Sequence, residues 1–238
     1  MPIVQFTPLS SLVEPNFWHA LTNLKIDVLR LSDETVSITG SYSSGRSFVD
    51  RETGNEIALG CNIDMGGSAF STDVQLPPNS VSASGIFKNY NTIEEFKAAD
   101  KTALFNQAAD EIWNSIEKGS TSSLTRFLLI TFADLKKYKY YYWFAFPAFV
   151  AKPAWDVDGD WAAASTQFNN EALNTIFNTV HQPRNLSSLY VLQVPHQKPA
   201  PVEDYETFFK DVPTSARTIA FIDPSAAPSN PGWPLRIY

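Results

Sequence analysis

The stretch from Thr92 to Phe149 restricts the fold more than any other part of this sequence. Ile93, Phe96, Phe105, Ala108, Ala109, Ile112, Trp113 and Ile116 recur at three- and four-residue steps, which predicts one amphipathic helix from Thr92 to Lys118. Thr92 and Glu95 have the spacing of a capping box, and Gly119 stands where a helix C-terminus favours glycine. The apolar run Phe127 to Phe132 is short enough for a buried strand. Ala133-Asp134-Leu135-Lys136 then connects it to a second strand over Lys137 to Phe149. One face of that second strand carries Tyr138, Tyr140, Tyr142, Phe144 and Phe146; the other carries Lys137 and Lys139, then Tyr141, Trp143 and Ala145. The pattern predicts a strand that is exposed at its start and enters a core later.

Around this stretch the signals are weaker. Phe17, Trp18, Leu21, Leu24 and Val28 have helical spacing, with Asn16 as the expected N-cap. Residues 35–75 read as short strands separated by glycine turns at Gly40, Gly45, Gly54 and Gly66-Gly67, closed by Pro77-Pro78-Asn79-Ser80. A second helix is expected from Ser165 to Val180, a strand from Leu189 to Val194, a short helix from Tyr205 to Lys210 and a strand from Thr218 to Ile222. The proline-rich end, Pro224 to Pro234, cannot hold a long regular element. Interleaved strands and helices predict an α/β (mixed α+β) fold. The break near Pro153 to Asp160 suggests two lobes.

Composition narrows the function classes. The 238 residues carry 25 acidic and 18 basic side chains, a net charge of −7, which argues against phosphate-backbone binding as a main task. A single cysteine, Cys61, excludes an intramolecular disulfide and a cysteine-based zinc cluster. The three histidines, His19, His181 and His196, do not suggest a metal site. No secretory signal opens the sequence, so the sequon Asn185-Leu186-Ser187 reads as incidental. The longest apolar run, Tyr140 to Ala151, is broken by Pro147 and is shorter than the roughly 20 residues of a membrane span. The chain reads as intracellular, and as long enough for a substantial core.

No catalytic motif is present. Glycine-rich phosphate loops and the G-x-S-x-G elbow are both missing. Asp156-Val157-Asp158-Gly159-Asp160 departs from a calcium loop at its sixth and twelfth positions, which hold Trp161 and Gln167, and reads as a solvated acidic loop. Cys61, between Leu59 and Ile63, reads as a small buried apolar residue. The run Lys136-Lys137-Tyr138-Lys139-Tyr140 is the sharpest feature. It suits three uses: tyrosines facing a core with lysines protecting an edge, base stacking with phosphate contacts, or docking of an acidic, apolar-anchored peptide.

At this run the chain resembles a known family. Leu129 through Tyr138, continuing through Tyr141-Tyr142-Trp143 and Pro147, is similar to the N-terminal domain of autophagy-related protein 7, the activating enzyme for the ubiquitin-like modifiers of autophagy. Phe6-Thr7-Pro8 resembles the family's Phe-x-Pro, and Phe17-Trp18-x-x-Leu21 with Lys25-x-x-x-Leu29 its first helix. Asn89-Tyr90-Asn91-Thr92, Glu95-Phe96-Lys97 and Ala108-x-x-Glu111-Ile112-Trp113 resemble its long helix and lead-in, and Asp223-Pro224 with Pro231 to Arg236 its closing segment. Residues 35–80 and 151–200 match loosely.

The resemblance implies a two-lobed domain spanning 1–238, with mixed sheets packed by helices and a lobe division near 151–164. It implies recruitment, without catalysis, of the conjugating enzymes autophagy-related proteins 3 and 10, and indirect service to the modifiers, autophagy-related proteins 8 and 12. ATP, zinc and the catalytic cysteine would belong to a C-terminal domain outside this chain, leaving no cofactor here. It further implies a monomeric, cytoplasmic module with an association at the preautophagosomal structure. Candidate partner-binding residues are Phe6, Pro8, Lys136, Lys137, Tyr138, Lys139, Tyr141 and Trp143. Two alternatives stay open: a nucleic-acid-binding module built on Lys136 to Tyr142, and an independent enzyme of unknown type.

Overall fold

The computed structural model describes residues 3–74, 76–150, 152–180, 188–193 and 199–237. His181, His196 and the sequon at Asn185 lie outside these. In chain order the elements are β1 (Leu9–Val13), α1 (Pro15–Leu24), β2 (Val36–Ser43), β3 (Ser47–Val49), β4 (Glu56–Ala58), β5 (Cys61–Met65), β6 (Ser80–Tyr90), α2 (Ile93–Ala98), α3 (Lys101–Glu117), β7 (Phe127–Asp134) and β8 (Lys139–Ala145). Then follow α4 (Asn170–Val180), β9 (Leu189–Gln193), β10 (Ala200–Pro201), α5 (Tyr205–Phe208) and β11 (Arg217–Phe221).

Six strands form one mixed sheet in the order β1-β5-β2-β6-β7-β8, and β10-β9-β11 form a second. The fold is thus α/β with mixed pairing, as expected. The parallel β6–β7 pair is joined through α2 and α3, since parallel neighbours need a long crossover. On one face of the large sheet Phe17 of α1 meets Phe87 at 6.2 Å and Phe70 at 4.9 Å. On the opposite face, Leu104 of α3 lies by Ile86 and Leu128. The core of this sheet includes Leu189 of the second sheet, with Phe221 packed against it.

The central strand β6 was not foreseen. Its row Val81, Ala83, Phe87 and Asn89 is buried, yet small residues and Gly85 hide the alternation. A Cβ on Gly85 would stand 2.4 Å from the Phe127 ring, so only glycine lets β7 seat that phenyl group. Gly40, read as a turn, lies inside β2, where a Cβ would meet the Ile63 side chain at 2.6 Å.

The expected helix of 92–118 is two helices. The capping box forms as predicted, Glu95 N–H to Thr92 Oγ1 and Thr92 N–H to Glu95 Oε2, both 3.1 Å. However, Asp100 accepts from Ala103 N–H at 2.9 Å and begins a second helix. A short acceptor side chain competes with its own backbone for helical bonds, so aspartate starts helices more readily than it continues them. Gly119 takes φ +71° at the end, as predicted. Trp113 is exposed, because it sits about 100° around the helix from buried Ile112.

The first helix begins at Pro15 with Glu14 as its N-cap residue, so Asn16 is not the cap; proline's fixed φ suits the first helical position. It continues into a wider turn, Lys25 to Leu29, closed by Arg30 N–H to Lys25 O at 2.8 Å. That extra residue buries Leu29 and turns Val28 outward. The Asn89 to Thr92 stretch has structural work: Asn89 accepts from Thr131 Oγ1 at 3.0 Å, and Asn91 Nδ2 donates to Leu31 O at 2.8 Å. Later, α4 starts five residues beyond its expected Ser165, where Asn169 Oδ1 accepts from Ala172 N–H at 2.8 Å.

Candidate functional site

The basic and aromatic run forms the β7–β8 turn and the outermost strand of the large sheet. β8 pairs with β7 from Asp134↔Lys139 to Leu128↔Ala145, and no strand pairs with its far side among the described residues. Lys137 and Tyr138, expected within the strand, belong to the turn. Tyr138 takes φ +51° there and is 83% exposed. Lys137 N–H donates to Asp134 O and to Asp134 Oδ1, both at 3.2 Å, which sets the turn. The later end does enter the core, as expected: Phe144 rests against it, and Phe146, just beyond β8, is part of it. β8 itself is the outermost strand of the sheet, with β1 close by but not paired to it.

Each face of β8 has its own occupant. Tyr140 stacks on Trp18 at 4.8 Å and shares a 3.1 Å hydrogen bond between its hydroxyl and Thr22 Oγ1. Tyr142 lies 5.7 Å from Trp18, and Phe144 5.8 Å from Phe127. On the other face Tyr141 stacks on Phe132 at 6.0 Å. These contacts hold Tyr140, Tyr141, Tyr142 and Phe144 along a strand paired on its β7 side only, while Tyr138 at the turn stays exposed. Lys136, Lys137 and Lys139 are all exposed at one end of it. Of the three, only Lys137 has an acidic partner among the described residues, Asp134 at 3.5 Å. The site is therefore a local cationic patch on an acidic molecule, beside an open row of backbone donors and acceptors.

Of the residues singled out from the sequence, Lys136, Lys137, Tyr138, Lys139, Tyr141 and Trp143 share this edge. Phe6 and Pro8 do not. They lie in an extended strap that joins two distant segments: Val4 N–H donates to Trp155 O at 2.8 Å, while Thr7 N–H donates to Pro231 O at 2.8 Å and Trp233 N–H to Thr7 O at 3.0 Å. Phe6 meets Trp155 edge-on at 5.9 Å, and the Arg236 guanidinium lies 5.4 Å over its ring. Trp155 had no signal in the sequence, and Arg236 appeared only as the last residue of the closing segment.

Cys61 is buried, and burial, aided by the nearby Asp223 carboxylate, pushes its thiol up to about 11. It is a packing residue with little thiolate character. Among the described residues no three His, Cys, Asp or Glu side chains are grouped to hold a metal ion, and no helix is long and apolar enough to cross a membrane.

Comparison with known proteins bears on this geometry. Residues 4–238 match the family model described as Ubiquitin-like modifier-activating enzyme ATG7 N-terminus. The chain belongs to this family. It is 37% identical to Ubiquitin-like modifier-activating enzyme ATG7 of Cryptococcus neoformans, over 99% of this chain and 35% of that protein. Against the human protein of the same name it is 34% identical, over 98% of this chain and 33% of that one. The chain thus spans about a third of the length of the curated relatives it matches. In fold it is similar to Kluyveromyces marxianus Atg7NTD, with a TM-score of 0.68 and 21% identity over 98% of this chain and 78% of that one. It is also similar to that organism's Atg7NTD in an Atg7NTD–Atg10 complex, with a TM-score of 0.62 and 21% identity over 99% of this chain and 75% of that one.

Proposed function

We propose that this domain recruits conjugating enzymes of the autophagy ubiquitin-like systems, autophagy-related proteins 3 and 10, and performs no adenylation or thioester chemistry itself. The observation that carries the reading is the open β8 edge with three exposed lysines at its turn. A flexible acidic segment that adds a strand there gains backbone hydrogen bonds from the edge, while the lysines set its direction and speed its capture. Membership of the ATG7 N-terminus family and the fold shared with an Atg7NTD–Atg10 complex support this reading. Recruitment of this kind acts through effective concentration, around millimolar for a short flexible tether, and so brings the conjugating enzyme's cysteine to a modifier held elsewhere. The domain works in the cytoplasm and needs no cofactor for this task. Phe6 contributes by packing the strap, with exposed Pro8 beside it, and Lys136, Lys137, Tyr138, Lys139, Tyr141 and Trp143 by forming the edge.

Calorimetric titration with the flexible segment of the conjugating enzyme tests this. We expect binding that weakens in K136E/K137E/K139E and in rising salt. No heat at high micromolar concentration, with the domain folded by circular dichroism, would sink the reading. ATP–pyrophosphate exchange by this chain alone would show an enzyme instead. Steeply salt-dependent retention of oligonucleotides would favour the nucleic-acid alternative.

A further inference from the structure

A second feature of the surface lies away from the lysine turn. Val4, Gln5 and Phe6 of the strap, Phe149 and Val150 beyond β8, Ala154, Trp155 and Arg236 enclose a cavity of about 270 Å³. That is below the roughly 300–1,000 Å³ of small-molecule sites and offers room for one large side chain. Its walls are fastened by backbone hydrogen bonds and a ring contact. The strap is bonded to Trp155 O at one end and to Pro231 O at the other, and Phe149 is buttressed by Trp113 at 6.1 Å. Its rim is apolar and open, since Val150 is 68% exposed and Trp155 40%.

Charge identifies the visitor. Three arginines are half-buried among the described residues: Arg126, Arg217 and Arg236. Arg126 pairs with Glu111 at 2.9 Å, and Arg217 donates to Val212 O at 2.9 Å and to the Tyr205 hydroxyl at 3.3 Å. Arg236 has neither an ion pair nor a hydrogen bond with any described residue; its one contact of this kind is the Phe6 ring. A guanidinium partly withdrawn from water, with its planar donor fork unused, favours a carboxylate brought to it.

We propose that this cavity is a peptide-anchor site. It takes one aromatic or leucine-sized side chain from an acidic segment, whose neighbouring carboxylate pairs with Arg236. This goes beyond the recruitment reading, because the pocket recognises such a segment whichever protein carries it, and does so without the β8 edge. Phe6 then has a second part besides packing the strap: it forms the wall on which both the anchor and Arg236 rest.

The test is fluorescence anisotropy with a short labelled peptide of Asp, Glu, Ser and Gly that carries one central Trp. The intact chain should bind it, and replacing that Trp with Ala should weaken binding at least tenfold. Arg236→Gln should also lose at least tenfold, and Arg236→Lys less, because an ammonium keeps the charge without the fork. Val150→Glu, at an exposed position that the fold does not depend on, should abolish binding while leaving the thermal melt unchanged. At about 0.5 M salt, where long-range steering is screened, K136E/K137E/K139E should bind the peptide within a few-fold of the parent chain, so that failure here and failure of the β8 reading are separately visible. The proposal is overturned if the parent chain does not bind, if the Trp-free peptide binds equally, or if Arg236→Gln and Val150→Glu bind unchanged. It is also overturned if the lysine variant alone loses binding, which would place the peptide at the turn. A dimer that Val150→Glu dissociates, with no peptide bound, would assign the cavity to a second copy and overturn it likewise.

Discussion

Strands β6 and β8 lie in one sheet, separated only by β7, and their sequences mislead in opposite directions. The first half of β6 is mostly serine, alanine and glycine, yet the strand is the centre, with Val81, Ala83, Phe87 and Asn89 buried. β8 is built almost wholly from aromatics, which usually mark a core, yet it is the edge and contains no fully buried residue. Where β7 lays the Phe127 ring over its partner strand, β6 has to be small, since a Cβ on Gly85 would stand 2.4 Å from that ring. The rings of β8 have a sheet neighbour on one side only and rest on Trp18 and Phe132 instead. Burial is concentrated where the side chains are modest, and exposed ring surface lies where they are conspicuous.

The comparison breaks first at Phe127. The ring is fully buried, and Phe127→Ala should cost about 3–5 kcal/mol, lowering the melting temperature by on the order of 10 °C. A loss under about 1 kcal/mol in denaturant titration would mean that the centre is not where stability resides. Gly85→Ala comes next. Its Cβ would press on that same ring at 2.4 Å and on Ile38 at 2.7 Å, for a cost of about 2 kcal/mol. The two substitutions should couple: in the Phe127→Ala background the vacated space accepts the methyl group, and the cost of Gly85→Ala should fall to less than half. Additive losses in the double-mutant cycle would show that Gly85 serves some need other than the seat of Phe127.

Much of the fold was legible where the physics is local. The capping box at Thr92 and Glu95, the glycine at 119 and the run Phe127 to Phe132 each depend on neighbours in sequence, and each appears as expected. What stayed hidden depends on distant residues. Gly40 and Gly85 look like punctuation until Ile63 and Phe127 are placed against them. Asp100 looks like one polar residue on a long helix, although its carboxylate begins another. The lysines and tyrosines of 136–143 announced an edge because alternation is a local signal. The Arg236 cavity is assembled from residues 4–6, 149–155 and 236, and no spacing rule joins stretches so far apart.

A smaller effect sharpens the account of β8. The Tyr140 hydroxyl is held by Thr22 Oγ1 at 3.1 Å while its ring stacks on Trp18. Tyr140→Phe keeps the stack and removes the bond, so it should cost about 1 kcal/mol. Tyr140→Ala, which removes both, should cost more yet remain below Phe127→Ala. Equal losses for Tyr140→Ala and Phe127→Ala in chemical unfolding would erase the distinction between edge and centre.

The smallest expected effect on stability is also the most informative about function. Lys136 and Lys139 have no acidic partner among the described residues, and the Lys137–Asp134 pair spans 3.5 Å with the lysine side chain 73% exposed. Exposed pairs of this kind contribute about 0–1 kcal/mol, so K136E/K137E/K139E should shift stability by no more than about 1 kcal/mol. The same change reverses the field at the strand's open end. Association with an acidic segment should slow by roughly ten- to a hundredfold at low ionic strength, with the deficit visible mainly in the on-rate measured by stopped flow. The gap should narrow as salt rises, since the screening length falls from about 10 Å at 0.1 M to about 3 Å at 1 M. A stability loss on the scale of Phe127→Ala would show that the lysine turn belongs to the structural centre. An on-rate deficit that persists at 1 M salt would mean that the lysines make close contacts in the complex, and are more than a steering field at the edge.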